Sequence, residues 1–168
     1  MAYSYDYFKT DIAEYLKSKF DNSARILDVG AGSGTYYNYL HDYFENIDAV
    51  EVFKPNIDDF DLTHKYKHVY NANISDFEYD NYDVIIFGDI LEHLNVNDAQ
   101  NALKYALERC KEIVVAVPYL YEQGICHDNV YEIHLQPDLT KEIMQERYPY
   151  LELLYGNDEY GYYIRKVG

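Results

Sequence analysis

Tryptophan is absent from this chain, cysteine occurs twice, and basic residues are scarce beside acidic ones. Each shortage narrows the range of functions. Cys110 and Cys126 are too few to frame a 168-residue chain with disulfides, and neither stands in a C-x-x-C pair, so a reducing, cytoplasmic setting is expected. Lys plus Arg number 14 against 30 Asp plus Glu, a formal net charge of −16. Such a surface repels phosphate backbones and anionic lipid, so nucleic acid is disfavoured as a partner and no membrane partner is expected. Long apolar runs are missing too: "IVVAVPYLY" is far too short to cross a bilayer, and "MAYSYDYFKTD" lacks the basic-then-apolar order of a signal sequence. No internal repeat or low-complexity linker breaks the chain.

What remains suits a single domain over 1–168, since 48% hydrophobic residues can supply one core. The aromatic content falls on 22 tyrosines spread without a fixed period, which reads as amphipathic cover for that core. Tyr5, Phe8, Ile12, Leu16 and Phe20 recur at helical spacing and predict a helix over 4–20. Asp21-Asn22-Ser23 breaks it, so the N-terminal helix falls within 1–22 and a core follows over 24–167. Short apolar runs then predict strands at "ARILDV", "IDAVEV", "HVYNANI", "YDVIIFGDI" and "EIVVAVP". Helices are expected at 35–44, around Pro55, after Asn95 or Asn97 along the Ala99–Cys110 face, and from Pro137. "YLELLYG" and "YGYYIRKV" close the chain across a turn so short that they must run antiparallel. The sum is an α/β fold with a seven-stranded, mostly parallel sheet and one reversed strand.

"ILDVGAGSGTYYNYL" feeds a buried strand through Gly30, Gly32 and Gly34 into a helix. Glycine permits positive φ and close approach of a ligand to the backbone. Glu51 ends the next strand, about twenty residues beyond Gly30, where an acidic side chain grips a ribose. Two ligand classes fit, dinucleotides and S-adenosylmethionine. The dinucleotide pattern wants glycine or alanine three places after Gly32, and that place is Thr35.

From Asp28 through Gly34, together with the terminal hairpin, the chain resembles the class I S-adenosylmethionine-dependent methyltransferases. The resemblance implies a Rossmann-like three-layer sandwich with the last strand antiparallel. It implies S-adenosylmethionine as cofactor, with Gly30, Gly32 and Gly34 against it, Asp28 near its methionine amine, Glu51 on the ribose, and Asn73 and Ile74 at the adenine. "DILEHL", Asp89 to Leu94, resembles the segment after the fourth strand in the ubiquinone-biosynthesis-like subgroup. There Asp89 and the Glu92-His93 pair line the mouth of the active site.

Methyl transfer from a sulfonium is driven largely by alignment and water exclusion, but an oxygen or nitrogen acceptor must lose a proton. His93 is one candidate base. His127 is the second, in the loop "GICHDNVYEIH", where Asp128 and His134 are candidates for substrate contact. His127, Asp128 and His134 match no metal signature, and no metal is expected. The Pro-Pro-aromatic segment of amino-methylases is missing, because Gly88-Asp89-Ile90-Leu91 occupies that place. The paired-glutamate loop of protein arginine methyltransferases is missing as well. A small-molecule acceptor is favoured, with carbohydrate, phenol, carboxylate and amine all open. Two other readings stand: a cofactor-binding accessory protein without turnover, and a nicotinamide-dependent oxidoreductase. Neither monomer nor homodimer is excluded, and the segment with Tyr3, Tyr5 and Tyr7 reads equally as a lid or a packing helix.

Overall fold

In the computed structural model, which describes residues 5–166, the run Arg25–Val29 forms β1 and is buried after its first residue. Asn46–Val50 (β2) and Tyr82–Gly88 (β4) flank it in parallel, with Val29 opposite Val50 on one side and Phe87 on the other. Their carboxyl ends are therefore level, and the segments that follow them meet at one edge. Val69–Tyr70 (β3), Cys110–Pro118 (β5), Leu151–Gly156 (β6) and Tyr160–Arg165 (β7) complete a seven-stranded sheet of order β3-β2-β1-β4-β5-β7-β6. β7 runs antiparallel to both β5 and β6. Order reverses between β1 and β4, the switch point at which open α/β sheets collect ligands.

Strand residues alternate between two cores, as the pleat requires. Ile26, Val84, Ile86 and Val114 face Ile12 and Leu16 of helix α1 (Lys9–Lys19) and Leu40 of α2 (Thr35–Leu40). Leu27, Ile85, Phe87 and Val115 face Leu103 and Ala106 of α5 (Val96–Leu107) and Met144 of α6 (Lys141–Arg147). Two short helices, α3 (Lys54–Asp59) and α4 (Leu62–Lys65), join β2 to β3. The result is the three-layer sandwich that the family resemblance implies.

Several boundaries differ from the sequence pattern for physical reasons. Helix α1 begins at Lys9 because Phe8 takes a left-handed φ of 59°; Tyr3 lies outside the described residues. β3 keeps two residues, because the Asn71 side chain turns back to the Glu51 and Val52 carbonyls and Asn73 Oδ1 accepts from Ser75 N–H. α6 starts after Thr140, whose Oγ1 accepts from Ile143 N–H, and not at Pro137. Asn95 is the N-cap of α5, accepting from Asp98 N–H at 2.8 Å. No described helix is long and apolar enough to cross a membrane.

Candidate functional site

All three glycines of the first turn have positive φ: 70° at Gly30, 55° at Gly32 and 87° at Gly34. Gly30 N–H donates to Val50 O at 2.7 Å, which ties the turn to the end of β2. Glu51 continues that tie. Its Oε1 accepts from Gly32 N–H at 2.8 Å and its Oε2 from Phe53 N–H at 2.9 Å. A carboxylate has about four acceptor positions, so two remain for a ligand. A Cβ built on Gly30 would lie 1.9 Å from Ile90 Cδ1, so the side chain of Ile90 occupies the space that glycine leaves.

A cavity of about 360 Å³ opens beside this turn, within the range of roughly 300–1,000 Å³ usual for small-molecule sites. Gly30, Glu51, Asn73, Ile74 and His93, all singled out from sequence, line it together. Gly32 and Gly34 shape the turn without lining the cavity. Asp28 and Asp89 lie behind the wall, both buried. Asp28 Oδ2 accepts from Tyr66 O–H at 2.5 Å, whereas Oδ1 is buried without a partner. Burial lifts its pKa to about 7 against the opposing pull of the Tyr66 hydroxyl. Asp89 has a left-handed φ of 57° and accepts from Tyr160 O–H at 2.8 Å.

The loop after β5 takes part differently from the sequence expectation. Its wall on the cavity is Asn129–Ile133 and Leu135. His127 and Asp128 are the two central residues of a tight, solvent-exposed turn closed by the Cys126–Asn129 bridge, both with positive φ. The geometry thus carries His127 and Asp128 away from the cavity lining: a two-residue turn of this kind needs two left-handed residues, a conformation that His and Asp tolerate. His134 is buried, with its Nδ1 2.6 Å from Tyr121 O. Glu92 is buried beneath the lining, and His93 lies beside it with Nδ1 3.3 Å from Ile133 O. Burial drives the Glu92 carboxyl well above the usual range and the His93 imidazole down to about 3. The free protein therefore holds His93 neutral. Among the described residues no group of three or more His, Cys, Asp and Glu side chains is arranged to hold a metal ion.

Ile90, Asn129 and Tyr131 also line the cavity but carry no sequence signal of their own. A second feature hidden in the sequence is Lys9. Its buried amine donates to Tyr162 at 2.7 Å, Tyr36 at 3.2 Å and Tyr160 at 3.3 Å, against the far side of the Asp89 contact.

A family model described as a methyltransferase domain matches residues 1–121. No curated protein sequence matches the chain. Among solved structures, an S-adenosylmethionine-dependent methyltransferase from Clostridium acetobutylicum superposes with a TM-score of 0.71 at 14% identity, over 98% of this chain and 93% of that one. The N-terminal domain of EvdMO1 with S-adenosylhomocysteine bound gives 0.69 at 14% identity, over 95% and 81%. The methyltransferase domain of bacterial CtHen1 gives 0.69 at 19% identity, over 95% and 97%. The fold is that of the class I methyltransferases, and by the family match over residues 1–121 the chain belongs to the methyltransferase-domain family.

Proposed function

We propose that this methyltransferase takes its methyl group from S-adenosylmethionine and passes it to an oxygen or nitrogen of a small molecule, acting as one domain over 1–168. One observation carries the cofactor reading: Gly30 of the glycine turn, Glu51 and the Asn73-Ile74 pair, far apart in sequence, line a single cavity at the switch point of the sheet. The same cofactor is named for the Clostridium acetobutylicum structure.

When bound, the cofactor supplies a methyl group on a positively charged sulfur. The residues supply the rest. Glu51 is held by two backbone N–H groups, so its remaining lone pairs are fixed for the two ribose hydroxyls. Ile74 and the polar Asn73 flank the adenine. Asp28 Oδ1, buried and lacking a partner, is a position for the methionine ammonium, which would draw the carboxyl into its ionised form. Gly30, at a positive φ of 70° and with Ile90 packed where a Cβ would stand, holds the turn in the shape that borders the cavity. At the other end, His93 and the Asn129–Ile133 wall enclose the acceptor and exclude water. His93, buried and neutral in the free protein, is placed to orient the acceptor, and the proton that a hydroxyl or amine acceptor loses on methylation is released to solvent.

Thermal unfolding with S-adenosylmethionine, S-adenosylhomocysteine and NAD in parallel tests the reading. At one hundred times its dissociation constant a ligand adds about 2.7 kcal/mol to the native state, a rise of several degrees. Both sulfur ligands should stabilise and NAD should not. Stabilisation by NAD alone would restore the oxidoreductase reading. Product formation with any acceptor separates the enzyme from a non-catalytic binding protein.

A further inference from the structure

Beneath the acceptor end of the cavity lies a polar cluster whose hydrogen-bonding capacity is unused. Both carboxyl oxygens of Glu92, Nε2 of His93 and Nε2 of His134 are buried without a hydrogen-bond partner. His93 Nε2 stands 3.5 Å from Glu92 Oε1, and the two imidazoles meet edge to face with centroids 4.6 Å apart. Buried polar groups are nearly always satisfied, so several orphans in one place need an explanation.

The other nitrogen of each ring fixes what is missing. Nδ1 of His93 faces Ile133 O and Nδ1 of His134 faces Tyr121 O. A carbonyl only accepts, so in both rings the proton sits on Nδ1 and Nε2 presents a bare lone pair. Burial, with the charges of Asp89 and Glu132, pushes the Glu92 carboxyl well above the usual range, and even as the neutral acid it brings no more than one donor. That leaves more acceptors than donors. The nearest buried cation does not close the deficit, because the Lys9 amine is directed to Tyr36, Tyr160 and Tyr162. The rim is aromatic, with Tyr121 5.2 Å from the His134 ring and Tyr5 6.1 Å from Tyr121. His93 and Glu132 connect the cluster to the cavity wall.

We propose that Glu92, His93 and His134 form the recognition point for the methyl acceptor and take a group that offers hydrogen-bond donors and no negative charge, a hydroxyl or an ammonium. Acceptors headed by a carboxylate or phosphate are rejected there, because the cluster beneath the wall presents lone pairs and has acidic neighbours. The recognised group need not be the atom that is methylated. The assignment of this ligand as the acceptor rests on the methyltransferase reading above; the donor requirement rests on the cluster alone.

The test uses the full chain, first titrated with S-adenosylhomocysteine by calorimetry, so that failure of the cofactor reading is seen separately. With that ligand saturating, probes that share a scaffold and differ in charge are compared by imidazole ¹⁵N NMR: tyramine against 4-hydroxyphenylacetate, and D-glucose against glucose 6-phosphate. The expected result is saturable binding of tyramine or glucose that moves the Nε2 resonances of His93 and His134, with the anionic counterpart at least about tenfold weaker. Proton release on binding tyramine but not glucose would assign the ammonium form, since a cation draws Glu92 into its charged state. His134→Asn and His93→Asn keep a donor near the Nδ1 position and remove Nε2, so they should lose binding while remaining folded. Equal binding of the anions, no saturable binding of either donor probe, or unchanged affinity in both Asn variants overturns the proposal. So does micromolar binding of Mn²⁺ that His134→Asn abolishes, which would make the cluster a metal site.

Discussion

The hydroxyl of Tyr160 donates to Oδ1 of Asp89 at 2.8 Å, joining the reversed strand β7 to the first residue beyond β4. Both residues are buried, and Asp89 holds a left-handed backbone that only a few residue types accept. The contact thus pins the segment that carries Ile90, Glu92 and His93 into the site. Tyr160→Phe keeps the ring and removes the donor, leaving a buried carboxylate with one partner fewer. The expected loss is about 1–3 kcal/mol, read as a lower midpoint in chemical unfolding, with weaker binding at the cavity. An unchanged midpoint would show that β7 does not hold this turn.

Glu51 ties two backbone N–H groups and is proposed to hold the ribose as well, and substitutions separate the two. Alanine removes the acceptor for Gly32 and Phe53 N–H groups together, and hydrogen bonds to a charged group contribute about 1.5–3 kcal/mol each. Glu51→Ala should therefore lower stability before any ligand is added, as well as weakening S-adenosylmethionine. Glu51→Gln keeps one acceptor oxygen but points an amide N–H₂ at a second N–H, so it should fall between the two. Calorimetry and unfolding of the apoprotein measure both effects. Loss of binding with full stability would mean that the carboxylate serves the ribose alone.

Asp28 makes the site sensitive to pH. Its folded pKa of about 7 stands above the ordinary 3.8, so the fold favours the protonated form. Its contribution to stability is therefore complete below about pH 4 and is lost as pH rises through about 7, a change on the order of a few kcal/mol at most. Ligand binding should run the other way. The proposed pairing with the methionine ammonium needs the carboxylate, so affinity should increase with pH up to about 7, and binding at about pH 6 should release a proton. Asp28→Asn should flatten the apoprotein's pH dependence and abolish that release, as measured by calorimetry in buffers of differing ionisation enthalpy.

Local chemistry explains which parts of this architecture could be read from residues alone. β1, the glycine turn and Glu51 lie within one strand-turn-helix-strand unit, where an apolar run and glycine spacing are sufficient signals. The wall from Asn129 to Leu135 is set by partners distant in sequence: Leu135 and Gln136 N–H groups both reach Glu92 O, and Gln136 Nε2 bonds Leu91 O. No periodicity encodes such ties. Asn71 shortens β3 by a side-chain bond to the backbone that follows another strand. His127 and His134 look alike in the sequence, yet one forms an exposed turn and the other is buried, because the Cys126–Asn129 bridge folds the first of them outward before the chain returns to the cavity.

Lys9 is the least expected of the buried residues. In the helical pattern it reads as a solvated position, and its partners come from α2 and β7, as far as 153 residues away. Burial lowers its pKa, so the charged amine is a cost to the fold that the hydroxyls only partly offset. The tyrosines do not depend on it entirely: Tyr36 and Tyr162 share a 2.8 Å hydrogen bond and Tyr160 retains Asp89. Lys9→Met fills similar space without the charge, and is expected to stay within about 1 kcal/mol of the parent or exceed it. Lys9→Ala leaves a void among large rings and should lose roughly 2–5 kcal/mol. Unfolding of the two variants at neutral pH decides the matter: if Met is as damaging as Ala, the ammonium itself holds the tyrosine cluster, and with it the Tyr160–Asp89 contact, in place.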